Sequence, residues 1–267
     1  MRIHRVWALA LVMSLAGCGG GGSGASTLAA TGSVAGATPP AVISVASTAQ
    51  PWHIGLWSPA SLSVRVAQGQ SIIVLVAQYN ASSSYTASAS PTMSPGQLTP
   101  VVDPAPSVVG LLAPPVYGQL YAAFSPAPGA YSITPPMEGG TSGDGTMYVM
   151  VVSGIAAVRA ASSAQQRLGG SALVGISLQS GAGAQPGDLL VAMAVFDDTV
   201  IMSSGAGMTD PPAGWQSIGA NQDAANFPPV EACWKLASGG AESVSWTWSD
   251  PTANVAHALV AGFTPAP

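Results

Sequence analysis

The sequence predicts an all-β protein in which a signal peptide and a flexible linker precede two tandem jelly-roll-like β-sandwich domains. Short segments alternate apolar and polar residues or are continuously apolar, as β-strands are, and Gly/Pro clusters such as "SPAPGA" and "DPPAGW" separate them. Four sequence landmarks also recur in the same order later in the chain. We therefore expect a signal peptide at 1–17, a tether at 18–40, and sandwich units at 41–155 and 156–267.

The N-terminal segment has the three parts of a secretion signal. Arg2 and Arg5 supply the positive charge, and "VWALALVMSL" at Val6–Leu15 is an uncharged apolar run that small residues follow. A membrane-spanning helix needs roughly 20 apolar residues, so this run is too short to cross a bilayer. The alternative, a buried helix of the core, does not explain why charge, apolar run and small residues come in this order.

The end of the signal, "LAGC" at Leu15–Cys18, resembles a bacterial lipobox. The resemblance implies cleavage before Cys18 and attachment of a diacylglycerol to its thiol, usually with a further acyl chain on the new amino group. Two or more chains anchor a protein stably. The following "GGGGSGAS" is typical of a flexible tether. Gly19 after the cysteine fits lipoproteins sent to an outer membrane, so we expect an exported, lipid-anchored protein of the bacterial cell envelope.

The charge balance excludes a nucleic-acid partner. Once the signal is removed, four basic residues remain against eleven acidic ones, and nucleic-acid binding needs clustered Lys and Arg. Contact with the membrane is therefore assigned to the lipid rather than to a basic patch. Hydrophobic residues make up 48% of the chain, which excludes the low-hydrophobicity composition of disordered proteins.

The internal repeat rests on four pairs of segments with near-constant offsets of about 108 to 118 residues. We interpret it as a duplication, with chance similarity of Ala/Ser/Val strands as the alternative. The alignment places Gln119 opposite Cys233 and Val149 opposite His257. The pairs are "ISVASTAQ" with "VRAASSAQ", "QGQSIIVLVAQYN" with "PGDLLVAMAVFDD", "PPVYGQLYAAFSPAPGAYSIT" with "PPVEACWKLASGGAESVSWTW", and "MYVMVVSGI" with "AHALVAGFT".

Alternation predicts which residues of each unit face inward. In "SVSWTWS", Val244, Trp246 and Trp248 share one face, and in "AYSIT" the inward residues are Tyr131 and Ile133. The segment 156–168 fits a helix or a strand, and the repeat favours a strand.

The second unit resembles a β-sandwich repeat found in secreted bacterial surface proteins and phage tail proteins. The resemblance is carried by "GDLLVAMAVFDD", "DPPAGWQ", "CWKLASGGAESVSWTWS" and "ALVAGF". The first unit is similar to a sister pattern through "VVSGI", although it lacks the usual turn and has "YNASSSYT" instead. The resemblance implies a jelly-roll-like sandwich in an extracellular, non-catalytic setting, and it supplies no catalytic residues.

No catalytic, metal or cofactor site is predicted. The chain has no HExxH motif, no G-x-S-x-G elbow and no P-loop lysine. A triad built on His53 or His257 is arithmetically possible, so a hydrolase stays the third interpretation. Asp197–Asp198 is interpreted as a turn after a strand, and Asp144 with Asp198 lacks the regular spacing of calcium ligands.

Cys233 is predicted to be a neutral, partly covered thiol without an intrachain partner once Cys18 carries lipid. A disulfide between the two cysteines is the alternative. If Trp234 and Leu236 face the core, Cys233 shares a face with Glu231 and Lys235.

Aromatic residues near turns and strand ends are the candidate ligand contacts: Trp52, His53, Trp57 and Trp215. Trp215 in "PAGWQ" also fits a structural turn whose indole caps the core. The leading interpretation is a non-enzymatic module for adhesion, recognition or scaffolding, with a surface protein as partner. The alternative is a glycan-binding module that uses Trp52 and Trp57.

Overall fold

Every regular element in the described part of the chain is a β-strand, in a computed structural model. The all-β prediction is therefore confirmed. The predicted signal peptide, lipidation site and tether lie outside the described residues. Residues Thr38–Pro267 belong to one compact unit. The structure describes residues 43–48, 52–54, 61–80, 90–102, 116–136, 143–167, 172–178, 183–197, 212–221, 230–248 and 255–267, some of them by their backbone alone.

The first half of this unit forms two antiparallel sheets. Sheet A has the order β1-β9-β4-β7-β6, with β2 also pairing with β9, and sheet B has the order β3-β8-β5. The strands are β1 (Ser44–Thr48), β2 (Trp52–Ile54), β3 (Leu62–Val66), β4 (Gln70–Asn80), β5 (Thr92–Ser94), β6 (Thr99–Val102), β7 (Val116–Ala123), β8 (Gly129–Thr134) and β9 (Gly143–Ser153).

The second half forms two further antiparallel sheets. Sheet C has the order β10-β16-β12-β14-β13, and sheet D pairs β11 with β15. The strands are β10 (Ile155–Arg167), β11 (Ala172–Leu178), β12 (Leu189–Asp197), β13 (Gln216–Asn221), β14 (Val230–Leu236), β15 (Glu242–Trp248) and β16 (Val255–Pro265). The segment that fitted a helix or a strand is thus a strand, β10.

The strand order of sheet C repeats that of sheet A. Each strand on the main path of sheet A has a counterpart at the same place in sheet C: β1 corresponds to β10, β4 to β12, β6 to β13, β7 to β14 and β9 to β16. The paired strands β3 and β8 of sheet B likewise correspond to β11 and β15 of sheet D. All four sequence landmarks fall on corresponding strands.

The turn that leads into β4 also recurs before β12. Gly69 and Gly187 have φ of 77° and 88°, a left-handed conformation that glycine adopts without steric cost. In the first turn the Gln70 side chain accepts a hydrogen bond from the Ala67 N–H over 2.7 Å. In the second, Asp188 accepts one from the Gln185 N–H over 2.8 Å. Matching conformations and side-chain bonds fix the equivalence of the two strands residue by residue.

The sheets stack in the order B, A, C, D, with an apolar layer between each neighbouring pair. Ile72 and Val74 of sheet A pack with Ile133 of sheet B in the first layer. The A–C layer joins Leu75 of β4 with Leu259 of β16, among others, so it draws residues from both halves of the chain. The C–D layer contains Phe196, Val244 and Trp246. Burial of apolar area in three layers is the main stabilising contribution.

The alternation of apolar and polar residues correctly predicted which side chains of sheets B and D face inward. Tyr131 and Ile133 of β8 are buried, and so are Val244 and Trp246 of β15, while Trp248 lies outside the residues whose side chains are described. The division into two tandem domains stays a prediction.

Candidate functional site

Two of the predicted aromatic contacts lie on β2, at the edge of sheet A. Trp52 is in register with Met147 of β9, and His53 with Thr146. The structure describes these two residues by their backbone only, and Trp57 lies outside the described residues. The structure therefore gives the strand that carries Trp52 and His53, and their role in ligand binding stays a prediction.

Trp215 is buried against sheet C at the end of a turn. Its N–H donates to the Pro212 carbonyl over 2.9 Å, and Gly214 before it has a φ of 82°. The indole is 7% exposed and belongs to the C–D layer. The Lys235 Nζ lies 5.1 Å from the ring centroid, within cation–π range. Trp215 thus takes the position of the structural turn residue described above.

Lys235 also forms an ion pair with Glu242. Its Nζ lies 2.6 Å from Glu242 Oε2, and the Ser238 N–H and hydroxyl donate to the other carboxylate oxygen. Burial of Glu242 opposes ionisation, but the bonds from Lys235 and Ser238 outweigh it and hold the pKa of the carboxyl below its ordinary value. This cluster joins β14, β15 and the turn between them.

A second ion pair joins β10 to the turn before β12. Arg159 Nε donates to Asp188 Oδ2 over 2.5 Å, and Arg159 Nη2 donates to Oδ1 over 3.1 Å. Asp188 is fully buried, and a buried carboxylate needs such a partner. The fork geometry is the bidentate arrangement that arginine supplies. The Arg159–Asp188 pair ties β10, an edge strand of sheet C, to the turn before β12, which indicates a structural role.

A hydrogen bond crosses the A–C layer between the two halves of the chain. The Gly118 N–H on β7 donates to His257 Nδ1 on β16 over 2.6 Å. A Cβ built on Gly118 would lie 3.0 Å from Leu259 Cδ2 and 3.2 Å from His257 Nδ1, so the glycine permits the close approach. Burial lowers the pKa of His257 to about 4, and the imidazole is neutral near pH 7.

The register corrects the alignment at Gln119. Gln119 pairs with Val76 of β4, and Glu231 pairs with Ala194 of β12. Since Val76 and Ala194 lie equally far from the two turn glycines, Gln119 is equivalent to Glu231 and not to Cys233. Both side chains are fully buried. Each half therefore buries one polar residue at this position, an amide in one and a carboxylate in the other.

The alignment of His257 with Val149 was also wrong. Thr146 pairs with Ala77, and His257 pairs with Val195, which are equivalent positions of β4 and β12. His257 is therefore equivalent to Thr146. Both are buried.

Cys233 is buried and protonated at neutral pH. Burial, and then the negative charge of Glu231, raise the pKa of its thiol, against a smaller opposing effect of Lys235. Burial and Glu231 likewise raise the pKa of Tyr148 on β9. The strand alternation predicted for Cys233, Glu231 and Lys235 holds, because Trp234 packs on the A–C layer and Cys233 on the C–D layer. Leu236, which was expected to face the core together with Trp234, is instead 48% exposed.

Two described side chains that could act in catalysis are held in the fold. His257 Nδ1 is occupied by a backbone N–H, and the thiol of Cys233 is not in its nucleophilic form. Within the described ranges, no group of three His, Cys, Asp or Glu side chains could hold a metal ion. The Gly118–His257 contact was missed from the sequence, although a lone glycine inside the strand "VYGQLYAA" is a signal of close backbone approach.

No family model, no curated protein and no solved structure matches this chain. A search of the described residues for a helix long and apolar enough to cross a membrane finds none.

Proposed function

We propose that this chain is a lipid-anchored protein of the bacterial cell envelope, and that its β-sandwich units serve in surface adhesion, recognition or scaffolding without catalysis. Cys18 in "LAGC" supports the anchor, Gly19 supports an outer-membrane address, and the glycine run behind them supports a tether. The tether would hold the folded unit away from the lipid headgroups.

One observation carries the non-enzymatic part of the proposal. Three side chains of the described residues that could perform acid–base chemistry are bonded into the fold: His257 to Gly118, Asp188 to Arg159, and Glu242 to Lys235. A general acid or base needs a free nitrogen or oxygen within hydrogen-bond reach of a substrate. Groups held in this way suit a rigid module better than an active site.

Adhesion is tested by comparing two chains in the same bacterial host. One is the full chain, and the other stops after Pro40 and retains only the anchor and tether. We expect intact cells that carry the full chain to bind immobilised mucin, extracellular-matrix protein or one another more than cells that carry the truncated chain. Equal binding by both strains on every surface, at matched expression, would contradict adhesion and leave scaffolding as the remaining non-enzymatic role.

Glycan binding is the second candidate, favoured by the position of Trp52 on β2 at the edge of sheet A. An edge aromatic can stack on a sugar ring. A glycan array probed with the soluble fragment Ala25–Pro267 tests it, with Trp52→Ala and Trp57→Ala as the binding-site variants and Trp215→Phe as the control at the buried indole. Array signals that both site variants retain would exclude these residues as the contacts.

A further inference from the structure

The A–C layer is the contact between the two halves of the chain, and a titratable side chain lies inside it. Strand β7 of sheet A lies over β16 and β12 of sheet C. His257 on β16 is 4% exposed and bonds to the backbone of Gly118 on β7. The bond therefore joins two halves that otherwise meet through apolar side chains such as Leu75, Met193 and Leu259.

The bond requires one protonation state of the imidazole. Gly118 supplies an N–H, so His257 Nδ1 must offer its lone pair, and the neutral ring then carries its proton on Nε2. A proton on Nδ1 would bring two N–H groups together at a separation of 2.6 Å. It would also leave a cation in an apolar layer, which is costly without a counter-charge.

No described side chain around His257 supplies that counter-charge. The neighbours on β7 and β12 that share its layer are apolar, among them Leu120 and Val195. The titratable groups Glu231 and Cys233 of β14 lie on the opposite face of sheet C from His257.

Three further groups on packed elements complete the surroundings of His257. Tyr148 of β9 faces the same layer and is neutral near pH 7. Asp197 of β12 and Arg167 of β10 pair with Val255, two residues along β16 from His257, and their side chains lie outside those described. Burial accordingly lowers the pKa of His257 to about 4.

We propose that His257 is an acid-sensitive latch between the two halves: a proton on Nδ1 releases Gly118 and loosens the A–C layer, while the A–B and C–D layers stay packed. The other two layers have bonds of their own that do not involve His257. The hydroxyl of Tyr121 in sheet A is hydrogen-bonded to Ser90 Oγ, just before β5 of sheet B, over 3.2 Å, and Lys235 of sheet C pairs with Glu242 of sheet D. The latch goes beyond the adhesion role, and neither depends on the other.

Amide hydrogen exchange of the folded chain tests the latch, because each backbone N–H reports its own opening. The first readout is the protection factor of Gly118, measured from about pH 7 to about pH 4.5. The second compares the protection factors of β7 and β16, which meet across the A–C layer, with those of β8 in sheet B and β15 in sheet D. With a pKa of about 4 in the folded chain and 6.5 when exposed, linkage predicts that the opening constant at Gly118 rises about 50-fold over this range.

Two variants separate the latch from general acid unfolding. In His257→Asn the amide oxygen can accept the Gly118 N–H and does not titrate, so we expect its protection at β7 and β16 to stay flat with pH. In His53→Asn, the matched histidine control, we expect the wild-type pH dependence. The imidazole ¹⁵N shifts of His257 in the wild-type chain give a readout that needs no variant, and we expect Nδ1 of the folded chain to become protonated with a midpoint at about pH 4, at the acid end of the range in which Gly118 loses protection.

Three results would overturn the proposal. The first is Gly118 protection that does not change with pH in the wild-type chain. The second is an undiminished pH dependence in His257→Asn. The third is a loss of protection in β8 and β15 together with β7 and β16, which would indicate unfolding of the whole chain rather than release of one layer.

Discussion

The backbone N–H of Gly118 donates to Nδ1 of His257 over 2.6 Å, and this bond joins strand β7 of the first half to strand β16 of the second. The two residues are 139 positions apart in the sequence. The glycine provides the space and the histidine provides the acceptor, so the packing of the two large sheets depends on both.

Gly118→Ala should destabilise the chain by about 1 to 3 kcal/mol. The added Cβ would lie 3.0 Å from Leu259 Cδ2 and 3.2 Å from Met193 Cε, so both side chains would have to shift within a closely packed layer. Urea denaturation near pH 7 measures the change. Gly129→Ala is the control, because a Cβ there meets only Tyr131 at 4.0 Å, and we expect its midpoint to stay near that of the wild type. A Gly118→Ala midpoint equal to that of the control would refute close packing at this position.

Removing the hydroxyl of Tyr148 and that of Tyr121 should have different effects. The Tyr148 hydroxyl is buried and has no hydrogen-bond partner among the described residues, so Tyr148→Phe should be neutral or stabilising by up to about 1 kcal/mol. Tyr121 donates to Gln119 Oε1 over 2.8 Å, so Tyr121→Phe should cost about 1 to 2 kcal/mol. The two variants serve as controls for each other in one set of urea titrations. If Tyr148→Phe costs as much as Tyr121→Phe, the assignment of their hydroxyls is wrong.

Glu242→Gln should destabilise the chain by about 1 to 3 kcal/mol near pH 7, because it breaks the charged bond to Lys235 in a largely buried position. The pKa of Glu242 is lowered in the folded chain, so the stabilising contribution of the carboxylate is present above its unfolded pKa of 4.5 and is lost as pH falls through the folded value.

The difference in stability between wild type and Glu242→Gln should therefore shrink below about pH 4.5. Urea midpoints measured across this range give the result, with Ser243→Ala at an exposed neighbouring position as the control. A difference that stays constant into acid would show that the carboxylate charge contributes nothing.

Cys233 should be unreactive in the folded chain. Its thiol is buried and burial raises its pKa, and the thiolate is the form that attacks a disulfide reagent. In the fragment Ala25–Pro267, where Cys233 is the one cysteine, Ellman's reagent near pH 8 should label no thiol in the native protein and one per chain in concentrated guanidinium. Rapid labelling of the native protein would mean that this part of sheet C opens to solvent.

Local patterns were enough to predict the strands and the repeat. The alternation of Tyr131 with Ile133, and of Val244 with Trp246, determines their inward faces because side chains of a strand point to opposite sides in turn. The landmarks that include the "QGQ" and "PGD" turns located the equivalent strands β4 and β12, because a glycine with positive φ is required in both.

Register and stacking could not be predicted in the same way. Strands rich in Ala and Val resemble each other at several offsets, so the alignment placed Val149 instead of Thr146 opposite His257. The contact between Gly118 and His257 depends on how sheet A lies on sheet C, and residues far apart in sequence do not reveal that packing through local propensity. Trp215 is near a turn, as predicted, but its burial in the C–D layer depends on the packing of strands that are distant in sequence.

The most direct test of the central claim, that this chain is a lipid-anchored envelope protein, is metabolic labelling with a fatty-acid probe in bacterial cells that express the full chain. We expect label in the wild-type protein, recovered in the membrane fraction, and neither label nor membrane association in Cys18→Ala. Cys233→Ala is the matched cysteine control and should be labelled like the wild type. Label that persists in Cys18→Ala, or a wild-type chain that takes up none, would contradict the anchor and with it the proposed function.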